Sequence, residues 1–255
     1  MKGAAADRIG TPGLDRPPAC KDAASITAIL YELVGRDASR PFSPHCWKVR
    51  LALKHKGLDF GTRAAGFTEI PELEGGFSKT VPILKDGEAL VTDSFAIAEY
   101  LETAYPDRPS LFGGEGGRAL SRFVESWTQR TIHPALARIA ALDIHDCLGA
   151  SDQAYFRASR EKAFGTSLEN FVADRQSRIA PFLASLEPLR AIVAKQNFLG
   201  GETPLFADYI VFGAFQWARV SSPFRFMPAE DAVTQWFERC LALYDGEGAK
   251  VPAAA

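Results

Sequence analysis

The chain has 255 residues, 47% of them apolar, and its 29 Lys and Arg nearly balance its 31 Asp and Glu. That length and apolar content suffice for one large domain or two small ones with proper cores. The even charge balance offers no basic field to nucleic acid or to an anionic membrane surface, so neither is expected as a partner, and small neutral or mildly anionic ligands stay open.

Residues 1 to 24, which include "MKGAAADRIGTPGLDRPPAC", are rich in Gly, Pro and Ala and read as a loose tail. The stretch has no continuous apolar core, so neither a secretory signal nor a lipoprotein signal ending at Cys20 is expected. No segment approaches the roughly 18 apolar residues of a membrane span. Cys20, Cys46, Cys147 and Cys240 lack metal-ligand spacing, and a chain of this size needs no disulfide framework. A reducing, cytoplasmic compartment is the expectation.

"ITAILYEL", residues 26 to 33, is dense in apolar and β-prone side chains and reads as a mostly buried strand. A helix follows, with Cys46, Val49 and Leu53 at helical spacing, Lys48, Arg50, Lys54 and Lys56 on the wet side, and Gly57 where a C-terminal cap belongs. A second strand is expected near 60 to 65. "VPILKDGEALVTD" places two apolar runs around Asp86-Gly87, a hairpin signature, and the helix "SFAIAEYLETAY" follows at once. This order is that of a thioredoxin-like domain with a mixed four-stranded sheet, placed at residues 25 to 106.

"PDRPSLFGGEGG" has no apolar period and marks a linker over 107 to 117. Residues 118 to 246 read as an all-helical domain, and 247 to 255 as a C-terminal tail. Leu120, Phe123, Val124 and Trp127 follow an i, i+3, i+4, i+7 stripe. Pro134 should kink or end that helix near His133. "DYIVFGAFQWA" is apolar nearly all round and belongs in the middle of the bundle.

Three short motifs carry chemistry. Ser43-Pro44 fits an N-cap followed by N1; the same hydroxyl can donate to an anion held at the positive helix end. Ser43-Pro44-His45-Cys46 keeps the second cysteine of a redox turn and replaces the first with serine, so disulfide exchange lacks its nucleophile, while a thiolate brought by a ligand can be stabilised. Cys46 reads as a small core residue. Pro82, entering a strand of a thioredoxin-like domain, is expected to be cis, leaving Val81 free to pair with an extended peptide; the plain alternative is a trans proline on an edge strand. Asp93-Ser94 opens a helix. One of them can be its cap, or Ser94 can take a carboxylate beside an ammonium group held by Asp93.

With "SPHCWKVRLALKHKG" as an active-serine turn, "TVPIL" as a cis-proline strand and "DS" as a γ-glutamyl site, residues 26 to about 245 resemble the glutathione transferases. "LALKHKGLDF", "YPDRPSLF", "LDIHD", "FLGG" and "FADY" look like the bacterial β-etherases of lignin breakdown and the related fungal etherase-like transferases. The resemblance implies glutathione as co-substrate, with Ser43 on its sulfur, Val81 on its cysteinyl backbone and Asp93 with Ser94 on its γ-glutamyl group. Lys79, Thr80 and Pro82 complete that site, although Lys79 stands one residue away from the usual lysine. A homodimer is implied too.

The implied reaction is transfer of glutathione to a hydrophobic or aromatic electrophile, with β-aryl ether cleavage as its finer form. A binding protein for aromatic metabolites and glutathionyl exchange are the alternatives. The acceptor pocket is expected between the domains, with Trp47, Trp127, Phe215, Trp217 and Phe224 in it; the plain reading makes such aromatics core. Leu205 stands where the family's helix-capping Ser or Thr belongs, so Asp208 has another capping arrangement or Thr203-Pro204 starts the helix. "DIHD" reads as a solvated helix end, and no metal is expected.

Overall fold

The computed structural model describes residues 28–255, so the expected tail at 1 to 24 lies outside them. Four strands, β1 (Ala28–Leu33), β2 (Phe60–Ala65), β3 (Ile83–Asp86) and β4 (Ala89–Thr92), form one sheet in the order β2-β1-β3-β4. β1 pairs parallel with β2 and antiparallel with β3, which returns into β4. This is the thioredoxin-like sheet expected from the sequence. The hairpin turns on Gly87 and Glu88, one residue past the expected centre, because Asp86 already pairs with Ala89. Gly87, with φ 58°, takes the first central position, where a primed turn needs a left-handed residue.

Helix α1 (Pro44–His55) lies between this sheet and the helical half. Its expected wet side is therefore partly buried, Lys54 keeping more than a third of its side chain exposed. Lys48 is 0% and Lys56 1% exposed, paired with Glu125 at 3.2 Å and Glu102 at 2.6 Å, while Arg50 bridges Glu32 and Glu247. Helical period separated the two faces of α1; it carried no sign that a second layer covers the polar one. α2 (Ser94–Ala104) completes the first half.

The segment after α2 lacks helix and strand, and the next helix already begins at Glu115, inside the stretch 107 to 117 expected as a linker; the segment is pinned. Leu111 and Phe112 are buried, Phe112 stacks on Phe95 with centroids 5.5 Å apart, and Leu111 C=O accepts from Phe206 N–H at 2.8 Å.

The second half is helical throughout: α3 (Glu115–Trp127), α4 (His133–Cys147), α5 (Ala150–Phe164), α6 (Leu168–Val172), α7 (Arg175–Ser185), α8 (Glu187–Val193), α9 (Phe206–Ser221) and α10 (Ala232–Gly246). A π-helical turn, Thr128–Ile132, joins α3 to α4 just before Pro134. Of the α3 stripe only Val124 is fully buried; Trp127 is half-buried, and Leu120 and Phe123 face outward. α9 is buried along nearly its whole length, as its apolar surround required. Leu205 is its N-cap without an acceptor side chain, and Asp208 does the capping alone. Its carboxylate accepts from the N–H of Leu205, Gly200 and Leu199 at 3.0, 3.0 and 2.7 Å, and from Trp236 Nε1–H at 2.9 Å.

The last residues fold back on the helical half. Ala254 N–H donates to Arg219 C=O at 2.9 Å, and Arg219 donates to Val251 C=O at 2.7 Å. Among the described residues no helix is long and apolar enough to cross a membrane.

Candidate active site

One cavity of about 760 Å³ opens between the sheet domain and the helices. The thioredoxin-like half contributes Ser43, His45, Lys79, Thr80 and Val81; the helical half contributes His133, Arg138, Tyr155, Arg160 and Trp217, among others.

Ser43 is set by its helix. Pro44 lacks the N–H that would be unsatisfied at N1, and Ser43 Oγ accepts from Cys46 N–H at 3.3 Å. A hydroxyl that accepts from a cap still has its own proton to donate, so capping and anion binding do not exclude each other. The first turn of α1 is held close to α9 by Gly213: a Cβ there would stand 2.3 Å from Pro44 C=O. Cys46 is fully buried behind the serine and lies 3.8 Å from Tyr31 C=O; burial raises its thiol to about 12. It is inert packing.

The Val81-Pro82 bond is cis. Among the described residues Val81 N–H and C=O have no hydrogen-bond partner, and β3 begins only at Ile83. Thr92 Oγ1–H donates to Pro82 C=O at 3.1 Å and ties β4 to this corner. Asp93 follows, exposed, at φ 71°, a conformation that a non-glycine residue adopts only when its surroundings enforce it. Its Oδ1 accepts from Phe95 and Ala96 N–H, both at 2.9 Å, and its second oxygen has no hydrogen-bond partner among the described residues. Ser94 is buried, and neither residue lines the cavity itself.

His45 and His133 meet edge to face across the domain junction, centroids 5.3 Å apart, and His133 meets Trp217 at 5.9 Å. Burial, reinforced by the Lys48 charge, lowers both imidazoles, His133 to about 4. Both are neutral at pH 7.

Of the five aromatics expected around the acceptor, Trp217 alone lines this cavity. Trp47 is fully buried, donating Nε1–H to Pro41 C=O at 3.0 Å, because its helix is covered on both faces. Trp127 sits at the end of α3, away from the opening. Phe215 and Phe224 line a separate cavity of about 320 Å³ on the far side of α9. An apolar helix shows aromatics all round, and period cannot tell which side meets the hollow. "DIHD" is less solvated than expected: Asp143 pairs with Arg175 at 3.0 Å. Among the described residues no cluster of His, Cys, Asp and Glu is arranged to hold a metal.

Residues 38–109 match the model of the glutathione S-transferase N-terminal domain, and residues 119–240 that of the C-terminal domain. The chain belongs to the glutathione S-transferase family. Among curated glutathione S-transferases, number 1 of Dianthus caryophyllus is 31% identical over 52% of this chain and 63% of its own length; the Arabidopsis thaliana Z2 protein is 30% identical over 52% and 62%. The matched region thus spans less than two thirds of those relatives. The glutathione transferase GSTFuA3 of Phanerochaete chrysosporium superposes with a TM-score of 0.67 at 28% identity, over 88% of this chain and 94% of the other. A Ceriporiopsis subvermispora glutathione S-transferase, solved with glutathione, gives 0.68 at 21% identity over 88% and 96%, a likeness of fold.

Of the cavity's helical wall, His133, Arg138, Tyr155 and Arg160 were not foreseen from the sequence. One signal was present. Ala137 and Ala141, one turn apart on α4, are small residues facing a hollow, and Phe156, Arg160 and Phe164 recur at four-residue spacing on α5.

Proposed function

We propose that the protein is a glutathione transferase that binds glutathione as its thiolate at Ser43 and directs it at a hydrophobic or aromatic electrophile. The observation that carries this reading is that Ser43, Lys79, Thr80 and Val81 line one cavity with an apolar wall from the helical half. Val81 supplies a free backbone edge for the cysteinyl unit. Asp93 keeps one carboxylate oxygen for the γ-glutamyl amine, Ser94 and the start of α2 suit the adjoining carboxylate, and Lys79 suits the glycine carboxylate.

A thiol of pKa about 8.5 lowered by two units needs about 2.7 kcal/mol of selective stabilisation. A charge-assisted hydroxyl bond supplies about 1.5 to 3 kcal/mol and a helix N-terminus about 0.3 to 1. Ser43 and α1 therefore suffice without a general base. The depressed histidines are poor bases at neutral pH, and the thiol proton passes to solvent. The sulfur then bonds to the electrophilic carbon as the leaving group departs with its electron pair.

Cleavage of a β-aryl ether beside a ketone, with aryloxide leaving, is the finer reading, supported by the sequence resemblance. Glutathionyl exchange is disfavoured by the inert Cys46. For the homodimer the support is the outward apolar face of α3, where Phe123 is 69% exposed; size-exclusion chromatography of Phe123→Glu against the parent chain tests it. A cytoplasmic setting rests on the cysteine pattern. The reading as a whole is tested by calorimetry with glutathione and by assaying thioether formation from generic electrophiles and β-aryl ether ketones. Absence of glutathione binding at millimolar concentration refutes it, whereas binding without turnover points to the binding-protein alternative.

A further inference from the structure

The charge of the cavity is one-sided. Lys79, Arg138 and Arg160 line it, and among the described residues no Asp or Glu does. Arg138, on α4, lies over the Phe171 ring at 4.6 Å, and Arg160, on α5, over Phe156 at 5.1 Å. Neither has a carboxylate within ion-pair distance among the described residues; Asp174, whose carboxylate feels the Arg138 charge, is itself paired with Arg178. Arg157 holds Glu161 and Glu169 at 2.8 and 2.9 Å, and Arg178 holds Asp174 at 2.6 Å. Among the described residues the Arg160 side chain bonds only Ser159 Oγ, at 3.2 Å.

If Lys79 balances the glycine carboxylate of glutathione, and Ser43 with its helix holds the thiolate, the two arginines are left without a direct ion-pair partner among the described residues. They stand in an otherwise apolar chamber whose wall includes Phe67, Tyr155, Phe164 and Trp217. A cation beside low-dielectric surface attracts an anion more strongly than one in bulk water, and a guanidinium fork fits a carboxylate. From His133, which touches His45 next to Ser43, to Arg138 is five residues of α4, a rise of about 7.5 Å. Along the helix axis that is close to the reach from a ring carbon to a para carboxylate plus one hydrogen bond.

We propose that the acceptor is an anionic aromatic electrophile, its carboxylate held by Arg138 and Arg160 and its reacting carbon, on the opposite side of the ring, facing the glutathione sulfur at Ser43. This rests on the transferase reading and narrows its substrate class.

The test compares 4-chloro-3-nitrobenzoate with its methyl ester. In both, the glutathione sulfur bonds to the ring carbon para to the acid or ester, the C–Cl bond breaks, and chloride leaves with the electron pair. Each kcat/KM is divided by the uncatalysed rate with glutathione, since the ester is intrinsically more reactive. The acid is expected to be preferred by about tenfold or more, a preference that salt weakens and that Arg138→Gln with Arg160→Gln largely removes. Equal normalised rates in the parent enzyme overturn the proposal without any variant. So does a double variant whose loss appears in the dissociation constant of glutathione rather than in the preference for the acid.

If neither electrophile is converted, the transferase reading is decided by glutathione binding and the generic electrophiles, and calorimetry with the two thioether products still decides the acid subsite. Tenfold tighter binding of the acid product supports it. Equal affinities, or binding of neither, overturn it.

Discussion

Two helices start at the same cavity, and their first turns are built differently. At α1 the Ser43 hydroxyl satisfies Cys46 N–H, Pro44 has no donor to satisfy, and the buried charges behind them, Lys48, Arg50 and Lys56, all have carboxylate partners. At α4 the chain enters through a π-helical turn without a side-chain cap, and Thr128 Oγ1 and His133 Nε2 are buried with no partner among the described residues. Unpaired buried polar atoms lower stability. The contrast separates a rigid platform, suited to a co-substrate that never changes, from a less satisfied wall suited to an acceptor that does.

The platform leans on α9, so the largest effect expected is from Asp208→Ala. Removing a buried carboxylate with four donors should lower unfolding stability by about 3 to 5 kcal/mol, read by urea denaturation. A loss under about 1 kcal/mol would show that α9 does not anchor the platform. Gly213→Ala comes next, at about 2 to 3 kcal/mol, because the new methyl meets backbone rather than a movable side chain. It should also impair glutathione turnover by moving Ser43; a purely thermal effect would break the link between α9 and the site.

Ser43→Ala distinguishes cap from thiolate donor. Loss of the cap alone gives about 1 kcal/mol of stability. Loss of the donor also raises the pKa of bound glutathione by about one to two units, a rate loss of about tenfold to a hundredfold at neutral pH. Thiolate absorbance against pH is the measurement. Identical titrations for parent and variant would leave the hydroxyl a cap.

The smallest expected effect concerns the other wall. His133 titrates at about 4 in the folded chain, below its ordinary 6.5, so the unfolded chain binds the proton first as pH falls. Stability should therefore decline from pH 6.5 downward, by about 1 kcal/mol between pH 7 and 5.5. Urea midpoints at the two pH values should differ less in His45→Gln with His133→Gln; an unchanged difference would remove the pair from the comparison.

Much of the platform was legible because its signals are short-ranged. Serine before proline, valine before proline and aspartate before serine each act within a few residues, and the strand and helix periods that order the sheet are equally local. The resemblance added what the motifs jointly hold. Less local features escaped. Gly57 was foreseen as a terminator and takes φ 62°, yet Lys48 and Lys56 before it lie under a layer that sequence period does not record.

By itself the sequence determined the strand order's ingredients, the serine cap, the inert place of Cys46 and the apolar character of α9. Only the tertiary structure decided which aromatics face the cavity, that Lys48 and Lys56 are buried in ion pairs, and that His45 meets His133. It alone brought Arg138 and Arg160 to one cavity that no described Asp or Glu lines. The reason is physical: caps, turns and periods arise from neighbours along the chain, whereas burial, pairing and cavity lining depend on which side of each helix another element covers.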